Sequence, residues 1–205
     1  MHVQNELVSI AIKVAGGESQ LVPELQAALE ILDATRLRAA AIVSDADDLG
    51  ATDRVVQLLE GLKRLNAEAV KDSVPGFPLA LPTNPGFADG TPRLGIHILP
   101  DNNVLGTLET VLLECAVTSY PRYSQPAIDF VATIDNAAPA DLPELRSLRH
   151  GAGRQKAAAG VIGNLLFPGY SLSVAIDRGT WLRSAIGTEP GLVAAYGFLD
   201  SLLQD

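Results

Sequence analysis

The apolar run at residues 39–43 stops abruptly in Ser44-Asp45-Ala46-Asp47-Asp48, and this break constrains the fold more than any other feature. The run is too short for a helix and reads as a strand. Two similar runs flank it: residues 7–14, broken by Gly16-Gly17, and residues 94–99, stopped by Pro100-Asp101-Asn102. Between the first two, Leu21, Leu25, Ala28, Leu29 and Leu32 recur at helical spacing, with Ser19 as cap and Pro23 near the helix start. After the second, Thr52 is placed to cap a helix whose stripe is Val55, Val56, Leu59 and Leu62. A further helix is expected over residues 106–117, with Leu108, Val111, Leu112 and Cys115 inward. Strands that alternate with helices pair in parallel through right-handed crossovers. Parallel strands share one carboxyl rim, where open α/β sheets place their ligands. Gly16-Gly17, Asp45 with Asp47, and Asp101 each follow a strand directly, so all are expected on that rim.

The remainder is punctuated differently. Residues 74–92 hold Pro75, Pro78, Pro82, Pro85 and Pro92 with three glycines, and read as one long loop of the lid or binding kind. Beyond residue 120 the pattern is helical over about 124–134, 141–149, 154–166 and 190–203, with residues 170–176 ambiguous between helix and strand. The expectation is one α/β domain over residues 1–205, with a core over about 6–120 and a helical extension over about 121–205.

Composition limits the functions. The net charge is −9, and residues 1–141 carry 9 basic against 19 acidic side chains, a net of −10. Such a face repels nucleic acid unless a basic stripe offsets it, and the only stripe is Arg146, Arg149, Arg154 and Lys156 around His150. The single Cys115 makes no internal disulfide, which points to a reducing, cytoplasmic compartment. No basic segment followed by an apolar stretch opens the chain, so no signal peptide is expected. No run of about 18 apolar residues is present, so no membrane span is expected either.

Asp45 and Asp47, one residue apart, address one side of an extended segment and together suit a hard cation such as Mg²⁺ or Mn²⁺. The plainer reading is that they solvate a turn, where aspartate is common. Asp101 follows the third strand in ordinary turn chemistry, and Glu109 lies one helical turn beyond Gly106, where it faces the rim or meets the helix dipole. Lys156 opens an alanine-rich helix and reaches a phosphate as a point charge, or stays solvated. His97, mid-strand, reads as a satisfied core or edge histidine, and no cysteine–histidine cluster suits zinc. Gly-x-Ser-x-Gly and phosphate-loop motifs are absent.

Val14-Ala15-Gly16-Gly17, Ala41-Ile42-Val43-Ser44-Asp45-Ala46-Asp47, Arg93-Leu94-Gly95-Ile96-His97-Ile98-Leu99-Pro100-Asp101-Asn102, Gly106-Thr107-Leu108-Glu109, Lys156-Ala157, and Pro168-Gly169-Tyr170-Ser171-Leu172-Ser173-Val174-Ala175-Ile176 occur in this order. From about residue 10 onward the chain therefore resembles a Toprim-type domain, specifically the bacterial Toprim-like proteins related to the overcoming-lysogenization-defect nucleases. The resemblance implies a parallel-sheet core flanked by helices and Mg²⁺ held by Asp45 and Asp47 with Asp101. It also implies Glu109 and Lys156 in catalytic roles, and phosphodiester chemistry in which the metal polarises a phosphate. It further implies an earlier strand ending in Glu-Gly, for which Glu6 leaves no room, so the family's acid/base group is expected to be missing. Lost activity, supply by another chain and a gene start placed too late all account for that. The loss of a strand leaves an edge or an apolar face that favours a homo-oligomer or a partner chain. Nucleic acid or a phosphorylated ligand is the implied substrate. The rival functions are a protein-interaction module without catalysis and an enzyme of small phosphorylated metabolites.

Overall fold

The computed structural model describes residues 9–32, 34–139 and 141–204. It is α/β: a small mixed sheet flanked by helices, followed by a helical half. Among the described residues the sheet has three strands, β1 (Ala39–Asp45), β2 (Gly86–Ala88) and β3 (Arg93–Leu99), in the order β1-β3-β2. β1 and β3 run parallel with Asp45 opposite Leu99, so both end at one rim as the spacing predicts. β2 is antiparallel to β3, which corrects the expectation of an all-parallel sheet. It lies inside the Pro/Gly-rich stretch expected to be pure loop. Its three residues are too few for periodicity to reveal.

The expected first strand over residues 7–14 does not form where it can be seen. Residues 7 and 8 lie outside the described residues, and residues 9–15 are irregular, with Ile12 90% exposed. A strand needs a neighbour to receive its backbone groups, and this segment makes no ladder. A 3₁₀ turn (Glu18–Gln20) then leads into α1 (Leu21–Leu32).

α2 (Ala51–Lys71) is long because its apolar residues keep helical spacing: Ala51, Val55, Leu58, Leu62, Leu65 and Ala69 are buried. Leu58 takes the place expected for Val56, which is half exposed, and Thr52 lies inside the helix instead of capping it. With α1, α2 covers the sheet face formed by Ile42, Leu94, Ile96 and Ile98.

α3 (Leu108–Ser119), α4 (Pro121–Ala137), α5 (Arg146–Arg149), α6 (Gly153–Leu166) and α7 (Leu172–Arg178) pack on one another, and α8 (Pro190–Leu203), which touches α3, covers the opposite face of the sheet. The ambiguous stretch near residue 170 is therefore helical. In α3, Ala116 is buried and Leu108 is exposed, a shift of the expected inner face. Leu99, Val111, Cys115, Ile162, Trp181 and Leu192 form this half's core. Phe198 of α8 stacks between Phe87 and His97, with ring centroids at 4.8 and 5.0 Å. Gly95 makes that stack fit, because a Cβ there would lie 2.8 Å from both phenylalanine rings.

His97 is buried, but both ring nitrogens lack a hydrogen-bond partner among the described residues, which corrects the reading of a satisfied histidine. Burial pushes its pKa down, against an opposing pull from Asp101. Asp135, with a side chain only 2% exposed, receives Arg149 and Arg154. The hydrogen bond from Arg149, more than any other effect, holds its carboxyl below the usual carboxylate range. No helix among the described residues is long and apolar enough to cross a membrane.

Candidate functional site

The rim at the end of β1 is built by a turn after β1 and a second turn ahead of α3. After Asp45 the chain stays tied to β3, since the Ala46 amide donates to the Leu99 carbonyl at 3.0 Å. Asp47 then turns with φ of 50°, in the left-handed region that aspartate tolerates, and its amide donates to the Gly106 carbonyl at 2.8 Å. Asp45 and Asp47 are therefore not two residues of one extended segment, as the spacing had suggested. Gly106 accepts this contact with φ of 142°, and a Cβ there would sit 2.7 Å from Thr110 Oγ1. Its turn starts α3, whose first amide, at Leu108, donates to Asp45 Oδ1 at 2.8 Å.

Glu109 follows on the first turn of α3, with Lys156 of α6 3.8 Å from its Oε1. Gln155 locks the two helices together by donating to Thr110 Oγ1 at 3.1 Å. Asp45, Asp47, Glu109 and Lys156 thus share one electrostatic neighbourhood at the rim. Burial, more than any other influence, pushes the Asp45 carboxyl above its usual range. The Leu108 amide opposes this, while Asp47 and Glu109 raise it further and Lys156 lowers it.

Asp101 stands at the same end of the sheet but turns its carboxylate to its own loop. Its Oδ1 accepts from the amides of Asn103 at 2.9 Å and Val104 at 3.0 Å. Its electrostatic partners are His97 and Glu114. This is the turn chemistry that proline-aspartate-asparagine favours, and it engages one of the two carboxylate oxygens.

Arg54 and Glu18 belong to the site and escaped the sequence reading. Arg54 is 4% exposed. Its Nε donates to the Asp45 carbonyl at 3.0 Å, Nη2 to Asp47 Oδ2 at 3.2 Å and Nη1 to Gln57 at 3.1 Å, and it pairs with Glu18. The signal was available: Arg54 interrupts the buried stripe of α2 between Ala51 and Leu58, where a charge is stable only with partners. Glu18 immediately follows Gly17, so the Gly-Gly turn reaches the rim through this pair, although no strand precedes it among the described residues. Glu18 also opens a groove of about 730 Å³ between α1 and α2, lined in part by Gln26, Gln57, Arg64 and Glu68.

The donors suit Mg²⁺ or Mn²⁺ in kind, because carboxylate oxygens are the ligands such ions take. Among the described residues no three His, Cys, Asp or Glu side chains make a ready-assembled cage, and Arg54 engages Asp47.

The raised pKa of Asp45 has a sign that can be measured. A carboxyl titrating higher in the native state binds its proton more tightly there, so its contribution to stability falls as pH rises through that range. Asp45→Asn, which keeps an oxygen for the Leu108 amide, is therefore expected to raise Tm at pH 7. Partial exposure limits the gain to about 1 kcal/mol, or about 2–4 °C at this size. Calorimetry at pH 7 and pH 4 checks this, and the gain should shrink at the lower pH.

No curated protein and no solved structure matches the chain. A family model described as a protein of unknown function, DUF3226, matches residues 2–150, a span that holds Asp45, Asp47, Asp101 and Glu109 and stops short of Lys156. The chain belongs to the DUF3226 family.

Proposed function

We propose that the rim of β1 is a divalent-cation site for phosphate esters, descended from Toprim-type nucleases and incomplete as a catalyst. The observation that carries this reading is the convergence of Asp45, Asp47, Glu109 and Lys156, from three separated parts of the chain, around one half-buried carboxylate. Repulsion among three carboxylates is a cost that a bound dication relieves. The ion, when bound, supplies polarisation of a phosphate oxygen. Lys156 offers a point charge to the same phosphate, and Glu109 holds Lys156 in reach. The acid/base group that the resemblance implies at the end of an earlier strand is not found among the described residues, and such help is worth about 10²–10⁴-fold in rate.

A small phosphorylated ligand is favoured over duplex DNA by one further observation. Of the basic stripe, Arg149 and Arg154 turn to Asp135 and Lys156 turns to Glu109, which leaves little to track a phosphate backbone. The test is incubation of the chain with plasmid, single-stranded DNA and a small phosphodiester, in Mg²⁺ and in Mn²⁺, beside the Asp45→Ala/Asp47→Ala variant. Cation-dependent binding of the small ester with slow or no turnover is expected. Robust DNA cleavage abolished by the double substitution would overturn the claim of incompleteness.

A further inference from the structure

The sheet ends abruptly on one side. β1 pairs with β3 along one edge only, and among the described residues no other strand receives its outer backbone groups. Edge strands are ordinarily protected by shortness, proline, lysine or a bulge. β2, the other edge, is protected by its three-residue length. β1 has seven residues, no proline or lysine, and no charge before Asp45. Val43, on the face that α8 covers only in part, is 46% exposed, whereas its β3 partner His97 is buried. On α8, Phe198 faces the sheet, while Val193, Tyr196, Leu199 and Leu203 are exposed and spaced three or four residues apart.

The same chain carries a segment with the opposite lack. Ile10, Ile12 and Val14 are 65%, 90% and 87% exposed, and their period of two places them on one side of an extended chain. Residues 9–15 match β1 in length. In its own copy this arm enters α1 through Gly16-Gly17, and Lys13 pairs with Glu24 in the first turn of α1. Among the described residues it makes no hydrogen bond to β1.

We propose that the open edge of β1 is an interaction surface completed by residues 9–15 of a second copy. The arm adds as a fourth strand, with Ile10, Ile12 and Val14 laid beside Val43. Exchange is reciprocal: each copy has one arm and one edge, so two copies satisfy both, the assembly closes with two-fold symmetry and no arm is left to recruit a third. Strand addition of this kind takes affinity from main-chain hydrogen bonds and specificity from alternate side chains.

Two measurements test this. Light scattering of the full chain from 1 to 100 µM, as an order-of-magnitude range for weak pairing, should show a dimer. Ile12→Asp should weaken it by about tenfold or more, since one substitution at a central anchor typically has that effect, with an unchanged circular dichroism spectrum. Separately, Ile12→Cys and Val43→Cys are placed in different chains, mixed and treated with a short bismaleimide. Cys115 is buried and stays silent. A covalent heterodimer formed only in the mixture is expected. A monomer at every concentration, a dimer indifferent to Ile12→Asp, or cross-linking only within one chain when both cysteines share it would each overturn the proposal.

Discussion

Trp181→Ala should destabilise the chain by about 3–5 kcal/mol, the usual cost of emptying a tryptophan site in a core. Trp181 is fully buried in a stretch of turns between α7 and α8, where no regular element holds the backbone. The side chain does that work instead. Its Nε1 donates to the Leu112 carbonyl at 2.7 Å, the Tyr120 ring meets it edge-on at 6.1 Å, and the Ser119 hydroxyl donates to the Trp181 carbonyl at 2.8 Å. Removing it frees the segment that delivers Glu189 and the start of α8, so α8 should loosen with it. Trp181→Phe restores most of the volume and loses the indole hydrogen bond, for a smaller cost of about 1 kcal/mol beyond packing. Urea unfolding followed by circular dichroism measures both, because the only tryptophan is the residue replaced. A loss below about 1 kcal/mol for Trp181→Ala would show that the helical half closes without this anchor.

Arg54→Gln is expected to act in two opposite directions. Without cation it should cost about 2–3 kcal/mol, because charge-assisted hydrogen bonds of about 1.5–3 kcal/mol are lost from a buried position. With Mn²⁺ present it should tighten cation binding roughly tenfold, the effect of about 1.4 kcal/mol of removed competition. The physical cause is that Arg54 donates to Asp47 Oδ2, an oxygen that the proposed site would offer to the ion. Glutamine still reaches a backbone carbonyl and brings no charge. Tm with and without Mn²⁺ separates the two effects: the variant should start lower and gain more. A variant that starts lower and gains nothing would mean that Arg54 serves the fold alone.

Much of the frame was legible because β1, β3 and α2 announce themselves through local patterns: short apolar runs with sharp stops, and a long stripe at helical spacing. The parallel register that brings Asp45 and Leu99 level follows from that alternation. Residues 9–15 misled because strand periodicity describes what a segment could do with a neighbour, and the neighbour lies outside the segment. β2 was hidden because its three residues carry too few alternations to stand out among prolines. At the site, Asp45, Glu109 and Lys156 could be placed by where their elements begin or end. The turn at Asp47, the diversion of Asp101 into its own loop and the entry of Arg54 depend on backbone reversals and long-range packing that no local pattern records.

The central claim is that Asp45 and Asp47 hold a divalent cation. Titration of the wild-type chain with Mn²⁺, followed by the electron paramagnetic resonance of free ion, tests it most directly beside Asp45→Ala/Asp47→Ala and Asp101→Ala. One weak site per chain is expected, with a Kd on the order of 0.1–1 mM for a site of few charged ligands. It should be lost in the double variant and kept in Asp101→Ala, whose carboxylate belongs to its own loop. Equal binding by the wild type and the Asp45→Ala/Asp47→Ala variant, or binding lost only with Asp101, would contradict the account.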